Sequence, residues 1–81
     1  MKTIIALPAL RPGETGTVCR MDTAGSLRRR LRELGWLEGT QVRCRGRSPG
    51  GGIAAYELWG TVFALRDTDG VSIFVRKEGG G

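Results

Sequence analysis

Chemistry at a protein site needs a nucleophile with its base, a pair of carboxylates in different surroundings, or a set of metal donors. This sequence supplies few of them. It has no histidine, two cysteines (Cys19 and Cys44) and eight carboxylates. Serine, cysteine and lysine are present, but no imidazole can act as their base, and no carboxylate pair can be assigned separate acid and base roles. Transition metals favour imidazole with carboxylate, or clustered thiolates. Two cysteines in no CxxC arrangement make a poor closed site, even if neighbouring strands brought them together. They read as small hydrophobes in a reducing compartment. Asp67 and Asp69 could hold a cation weakly, but turn geometry accounts for them. No catalytic residue, metal site or cofactor is therefore expected, and function is sought on a surface.

The surface candidates are arginines and tryptophans. Eleven of the 13 basic residues are arginine, the net charge is +5 and the sequence pI is about 10.2. Such a domain suits nucleic acid, an anionic membrane surface or an acidic protein patch; a merely solvated basic face is the plainer reading. Arg28, Arg29, Arg30 and Arg32 fall on one short helical segment. Three of them occupy its first turn, where each cation costs up to ~0.3–1 kcal/mol against the helix dipole. Arg43, Arg45 and Arg47 alternate along a strand and are expected on one solvated face. Tryptophan and arginine are enriched at binding hot spots. Trp36, just after the helix, either stays partly exposed beside these arginines or completes a thin core. Trp59 lies beside Gly60 at a strand kink.

These side chains need elements to hold them. Leu27, Leu31 and Leu34 recur at helical spacing, with Ser26 as the expected N-cap and Gly35 as the stop, so one helix is placed at about 26–34. Thr15–Met21 reads as a first strand and Gln41–Arg47 as a half-buried one, with Val42, Cys44 and Gly46 inward. A glycine loop (Ser48–Gly52) leads to the return strand Ile53–Trp59, which Gly60 kinks into Thr61–Arg66. Asp67–Gly70 is a turn before Val71–Val75, and the tail is expected to be disordered beyond Lys77. About five short strands and one helix inserted after the first suggest a mainly β fold, a small bent barrel that removes exposed edges. The expected core is Val18, Leu27, Leu31, Leu34, Leu37, Val42, Phe63, Leu65, Ile73 and Val75. Eighty-one residues make one domain (1–81, ordered over about 3–77) whose thin core buries a little over ~60 % of its unfolded surface. Ile4–Leu7 is too short for a signal peptide, and no apolar run approaches the ~20 residues of a membrane span.

Four stretches, taken in order, resemble the FeoA (ferrous iron transport protein A) family: Leu10–Val18, Arg30–Val42, Arg47-Ser48-Pro49, and Gly60 with Ala64-Leu65-Arg66, Ile73 and Val75. They span roughly residues 7 to 75. Trp36 stands where that family has an aliphatic residue, Glu38 where proline is common, and Gly50-Gly51-Gly52 in place of a Gly-Asp-Pro loop. The resemblance implies an SH3-like β-barrel with one inserted helix. It implies a non-enzymatic cytoplasmic partner of FeoB, the membrane GTPase that imports ferrous iron. Similar domains form the C-terminal interaction module of DtxR-type metal-dependent repressors.

The expected partner is accordingly the cytosolic part of a FeoB-type transporter, with no direct membrane insertion. Docking would use Arg28, Arg29, Arg30, Arg32, Trp36, Arg43, Arg45, Arg47 and Trp59. Weak self-association stays open. Two other classes remain. Nucleic-acid binding is disfavoured because the aromatics are not interleaved with the arginines as stacking requires. A peptide-binding adaptor would need Tyr56, Trp59 and Trp36 to converge in an exposed groove.

Overall fold

Period-two alternation becomes a strand wherever one face can meet a core, and this chain forms six strands. A computed structural model describes residues 3–77; the tail beyond Lys77 lies outside the described residues. Strand β1 (Thr3–Ala6) runs into a single 3₁₀ turn at Leu7–Ala9. Strand β2 (Thr15–Met21) is followed by helix α1 (Gly25–Glu33), then by β3 (Gln41–Arg47), β4 (Ile53–Leu58) and β5 (Thr61–Arg66). A one-turn helix α2 (Asp67–Gly70) precedes β6 (Ile73–Lys77). All pairings are antiparallel, in the order β1-β6-β2-β3-β4-β5.

Several expectations are corrected. There are six strands, because Thr3–Ala6 pairs with β6, placing Ile5 opposite Val75. The segment shows no period-two burial: Thr3 and Ile4 are exposed, and Ile5 and Ala6 half-buried. Gly60 does not kink a continuing strand. Trp59-Gly60 is a two-residue hairpin loop closed by Leu58 opposite Thr61, and both loop residues have positive φ (54° and 76°), as a type I′ turn demands. Ser26 is not the helix cap; α1 starts at Gly25 with Ala24 in the cap position and no side-chain capping bond.

The C-terminus of α1 decides the core. Glu33 is its last helical residue, Leu34 is the C-cap and Gly35 takes φ +106°. The Gly35 amide donates to the Arg32 carbonyl (3.1 Å) and the Trp36 amide to the Leu31 carbonyl (2.9 Å), the paired bonds of a Schellman motif. That motif brings the residue after the glycine back onto the last turn. Trp36 is consequently fully buried beside Leu31, meeting Tyr56 and Phe63 edge-on at centroid distances of 6.0 and 6.3 Å. Leu37, expected in the core, is 38 % exposed, and Leu34, at the end of the leucine stripe, is 43 % exposed. Val18, Leu31, Val42, Leu65, Ile73 and Val75 are buried, with Leu27 and Phe63 packed against them. Leu7 and Leu10, Met21, Cys44, Ala54, Tyr56 and Leu58 complete the cluster.

Leu37–Thr40 forms the next turn, with Thr40 N–H donating to the Leu37 carbonyl at 3.0 Å and Gly39 at φ +94°. It is fastened to β2 by Gly39 N–H to Val18 O (2.7 Å) and Val18 N–H to Thr40 O (2.9 Å).

Candidate interaction surface

The arginine strand divides in two. Arg43 and Arg45 project outward from β3 while Val42 and Cys44 point in. Between Cys44 and Gly46 the pairing with β4 shifts by one residue, leaving Arg47 opposite the buried Ala54. A one-residue bulge reverses the facing of everything after it, so Arg47 turns away from the solvated face on which the alternation placed it. Its guanidinium makes two bonds to Asp67, at 3.0 and 3.2 Å, and one to the Pro8 carbonyl at 2.6 Å. It pins α2 and the 3₁₀ turn to the sheet. The Asp67 carboxylate raises its pKa further, so it stays charged.

The helical arginines also separate by role. Arg28 is half-buried and donates to the Met21 carbonyl at 3.0 Å, holding α1 against β2. Arg32 reaches Glu38 only at 3.5 Å, a solvent-exposed pair of little energetic weight. Arg29 and Arg30 are exposed and, like Arg43, have no carboxylate within ion-pairing distance among the described residues. Arg45 is paired with Glu57 at 2.7 Å.

Of the two tryptophans, Trp59 is exposed, while Trp36, left open between a docking patch and the core, lies in the core. Trp36 has no exposed surface and cannot belong to a docking patch. Trp59, at the β4–β5 hairpin tip, is 74 % exposed. It is not loose: its indole N–H donates to the Gly35 carbonyl at 3.3 Å. The ring lies so close to Gly35 that a Cβ there would sit 2.7 Å from Trp59 Cδ1. Thr40 Oγ1 donates to the same carbonyl at 3.2 Å. A large aromatic held at positive φ is strained, and such strain collects where a side chain is being aimed. Trp-Gly between two strand patterns is a hairpin signal that sequence reading could have used.

Thr15, Gln41, Arg43, Arg45, Glu57 and Trp59 line one shallow groove of about 310 Å³. This is where three of the expected residues meet. Arg30 lines a different groove, between α1 and β5. Tyr56 is buried with its hydroxyl unpartnered, and burial pushes its pKa up to about 12. With Tyr56 and Trp36 both inside, an exposed groove of three converging aromatics does not exist. Cys44 is buried, and Cys19 is half-buried with its thiol directed to the Phe74 carbonyl at 3.4 Å. Among the described residues no three of His, Cys, Asp and Glu come together as a metal site, and no helix is long and apolar enough to cross a membrane.

Comparison with known proteins assigns the fold to a family. The family model described as the FeoA domain matches residues 5–77, nearly the whole chain. The chain belongs to the FeoA family. The FeoA of Stenotrophomonas maltophilia, solved with zinc and described as a procaryotic SH3 domain protein, is 32 % identical. The match covers 85 % of this chain and 86 % of that one, with a TM-score of 0.74. The solution structure of FeoA from Chlorobium tepidum superposes with a TM-score of 0.88 at 23 % identity, covering 95 % of this chain and 73 % of that one. A manganese-dependent transcriptional repressor gives 0.83 at 23 % identity; the match takes in 96 % of this chain but only 44 % of the repressor. These last two likenesses speak for the fold alone. No curated protein matches the chain. The bent six-stranded sheet is thus an SH3-like fold.

Proposed function

We propose that this FeoA-family chain is a non-enzymatic cytoplasmic protein that docks on the cytosolic part of a FeoB-type ferrous iron transporter through the groove of Arg43, Arg45 and Trp59. The relative from Stenotrophomonas maltophilia, itself proposed as a ferrous iron transport activating factor, supports the transport setting. The observation that carries the surface is Trp59: a rigidly seated, 74 % exposed indole beside two outward arginines. That is the composition of a hot spot, with a large apolar anchor at low entropy cost and cations to select an acidic partner. Iron enters this reading as the transporter's cargo. Docking would act on transport by binding one transporter conformation more tightly than another, since only differential affinity shifts such an equilibrium.

The test is a titration of the chain with the GTPase domain of its own organism's FeoB, followed by isothermal calorimetry at low and physiological salt, with a short duplex DNA as comparison. Saturable binding that is lost in a folded Trp59→Ala protein supports the reading. No response to that domain, together with steeply salt-dependent DNA binding, overturns it in favour of a nucleic-acid role.

A further inference from the structure

We infer that the free edge of β5 is a built acceptor for one extended segment of a partner protein, apolar and acidic at alternate positions, which adds to the sheet as a seventh strand. In the strand order β5 is terminal: among the described residues it pairs with β4 and with nothing else. The two-residue loop fixes which backbone groups are spare. Leu58 and Thr61 close it as a hydrogen-bonded pair, and bonding alternates along an antiparallel ladder. Thr61, Phe63 and Leu65 therefore bond to β4, while Val62, Ala64 and Arg66 turn their N–H and C=O groups outward.

Edges of this kind are usually blocked by a proline, a bulge, an inward charge or a covering element. Thr61–Arg66 contains no proline, its register with β4 is unbroken from Leu58–Thr61 to Ile53–Arg66, and its one charge is the terminal Arg66. Instead of a cover it has a groove. Leu27, Leu31 and Leu34 of α1 face Phe63 and Leu65 of β5 across a space of about 300 Å³ floored by Trp36, with Arg30 among its lining residues. An added strand would set alternate side chains into that apolar space and the others outward.

The charges select the occupant. Arg30 and Arg66 are both exposed and have no carboxylate partner among the described residues. Carboxylates at the outward positions of the incoming segment share the face of Val62, Ala64 and Arg66 and would meet Arg66, while Arg30 stands at the groove on the opposite face. A second copy of this chain would instead bring its own Arg30 and Arg66 and a net charge of +5 to the same place. This mode differs from an aromatic-lined proline groove, because backbone bonds carry the affinity. It deepens the docking reading and rests on it only for the partner's identity; the edge itself is independent of that reading.

The experiment uses the whole chain, isotopically labelled, and two capped peptides of about eight residues. One alternates valine with glutamate and the other valine with lysine. Chemical shifts and amide exchange are followed residue by residue. The expected result is that the glutamate peptide slows exchange of the Val62 and Ala64 amides about tenfold or more and binds about tenfold more tightly than the lysine peptide. Arg66→Glu should reverse that preference. Ala64→Pro, which removes an outward donor that bonds to nothing in the sheet, should abolish protection; Arg66→Glu decides the matter should that protein fail to fold. Protection confined to the β3 arginine face, equal binding of both peptides, or no protection at roughly millimolar peptide overturns the proposal. Because the probe is synthetic, its failure leaves the FeoB titration standing, and the failure of that titration leaves this result standing.

Discussion

Gly35→Ala tests whether one glycine seats both tryptophans. Gly35 has φ +106°, a conformation in which an L side chain is strained; the backbone cost is about 1–3 kcal/mol. The new Cβ would lie 2.7 Å from Trp59 Cδ1 and 2.9 Å from Nε1, far inside the ~3.5–4.0 Å of ordinary carbon contact. The exposed indole can swing away, so the second cost is limited to its 3.3 Å bond to the Gly35 carbonyl, roughly 0.5–1.5 kcal/mol. Together these predict a loss of about 2–4 kcal/mol. A chain of 81 residues has a total stability of only about 4–12 kcal/mol. The assay is urea unfolding followed by circular dichroism, repeated in a Trp59→Ala background. There the contact is already gone, and Gly35→Ala should cost only the backbone share. A loss below about 0.5 kcal/mol, or one that is the same in both backgrounds, refutes the claim that close approach to Gly35 holds Trp59.

Trp36→Ala should cost about 3–5 kcal/mol by urea unfolding, since the ring is wholly buried against Tyr56 and Phe63. Arg47→Ala should cost about 1–3 kcal/mol by urea unfolding and speed exchange of the Val71 amide, because it unpairs Asp67 and frees α2. Glu38→Pro should stabilise by about 0.4–1 kcal/mol, read as a Tm increase of a few degrees: Glu38 precedes a positive-φ glycine in a four-residue turn, where proline pre-sets the chain. Tyr56 sets an alkaline limit. Its folded pKa of about 12 lies above the value of about 10 for an exposed phenol. The folded state therefore holds its proton more tightly, and this contribution is complete below pH ~10 and lost as pH rises from ~10 to ~12. In a Tyr56→Phe protein that part of the stability decline should be missing.

How far the sequence could be read depended on whether a feature was periodic or hinged on one residue. Leucines at i, i+4 and i+7 followed by glycine showed α1 and its end, and the Gln41–Arg45 alternation showed which arginines face water. The same pattern misplaced Arg47, because a bulge at Arg45 adds one residue and period two then inverts; nothing but Gly46 hinted at it. Leu37 was likewise misplaced in the core, and Trp36 was left open between core and surface. Amphipathic spacing does not say which residue beyond a glycine cap folds back, whereas the Schellman bonds do. β1 escaped notice because its three consecutive apolar residues, Ile4, Ile5 and Ala6, show no alternation by type. Arg28 and Arg47 looked like surface charge until their acceptors, the Met21 and Pro8 carbonyls, came into reach through tertiary contacts that no local pattern encodes.

Once Arg28 and Arg47 are assigned to the fold, the cations flanking the β4–β5 hairpin are Arg43, Arg45, Arg30 and Arg66. Arg28 and Arg47 belong to the fold, and Arg45 is half-neutralised by Glu57. Trp59 sits at the tip of β4–β5, with the Arg43 and Arg45 groove on its β3 side; the free edge of β5 and the Arg30 groove lie on the other. Val62, the first residue with outward backbone groups, is only three positions beyond Trp59. With the indole already seated, occupancy of the edge would raise the local concentration of a partner that also reaches Trp59. A partner able to reach both surfaces would bind more tightly than either contact alone suggests. Trp59→Ala should then weaken that partner's binding without altering the affinity of the valine–glutamate peptide for the edge.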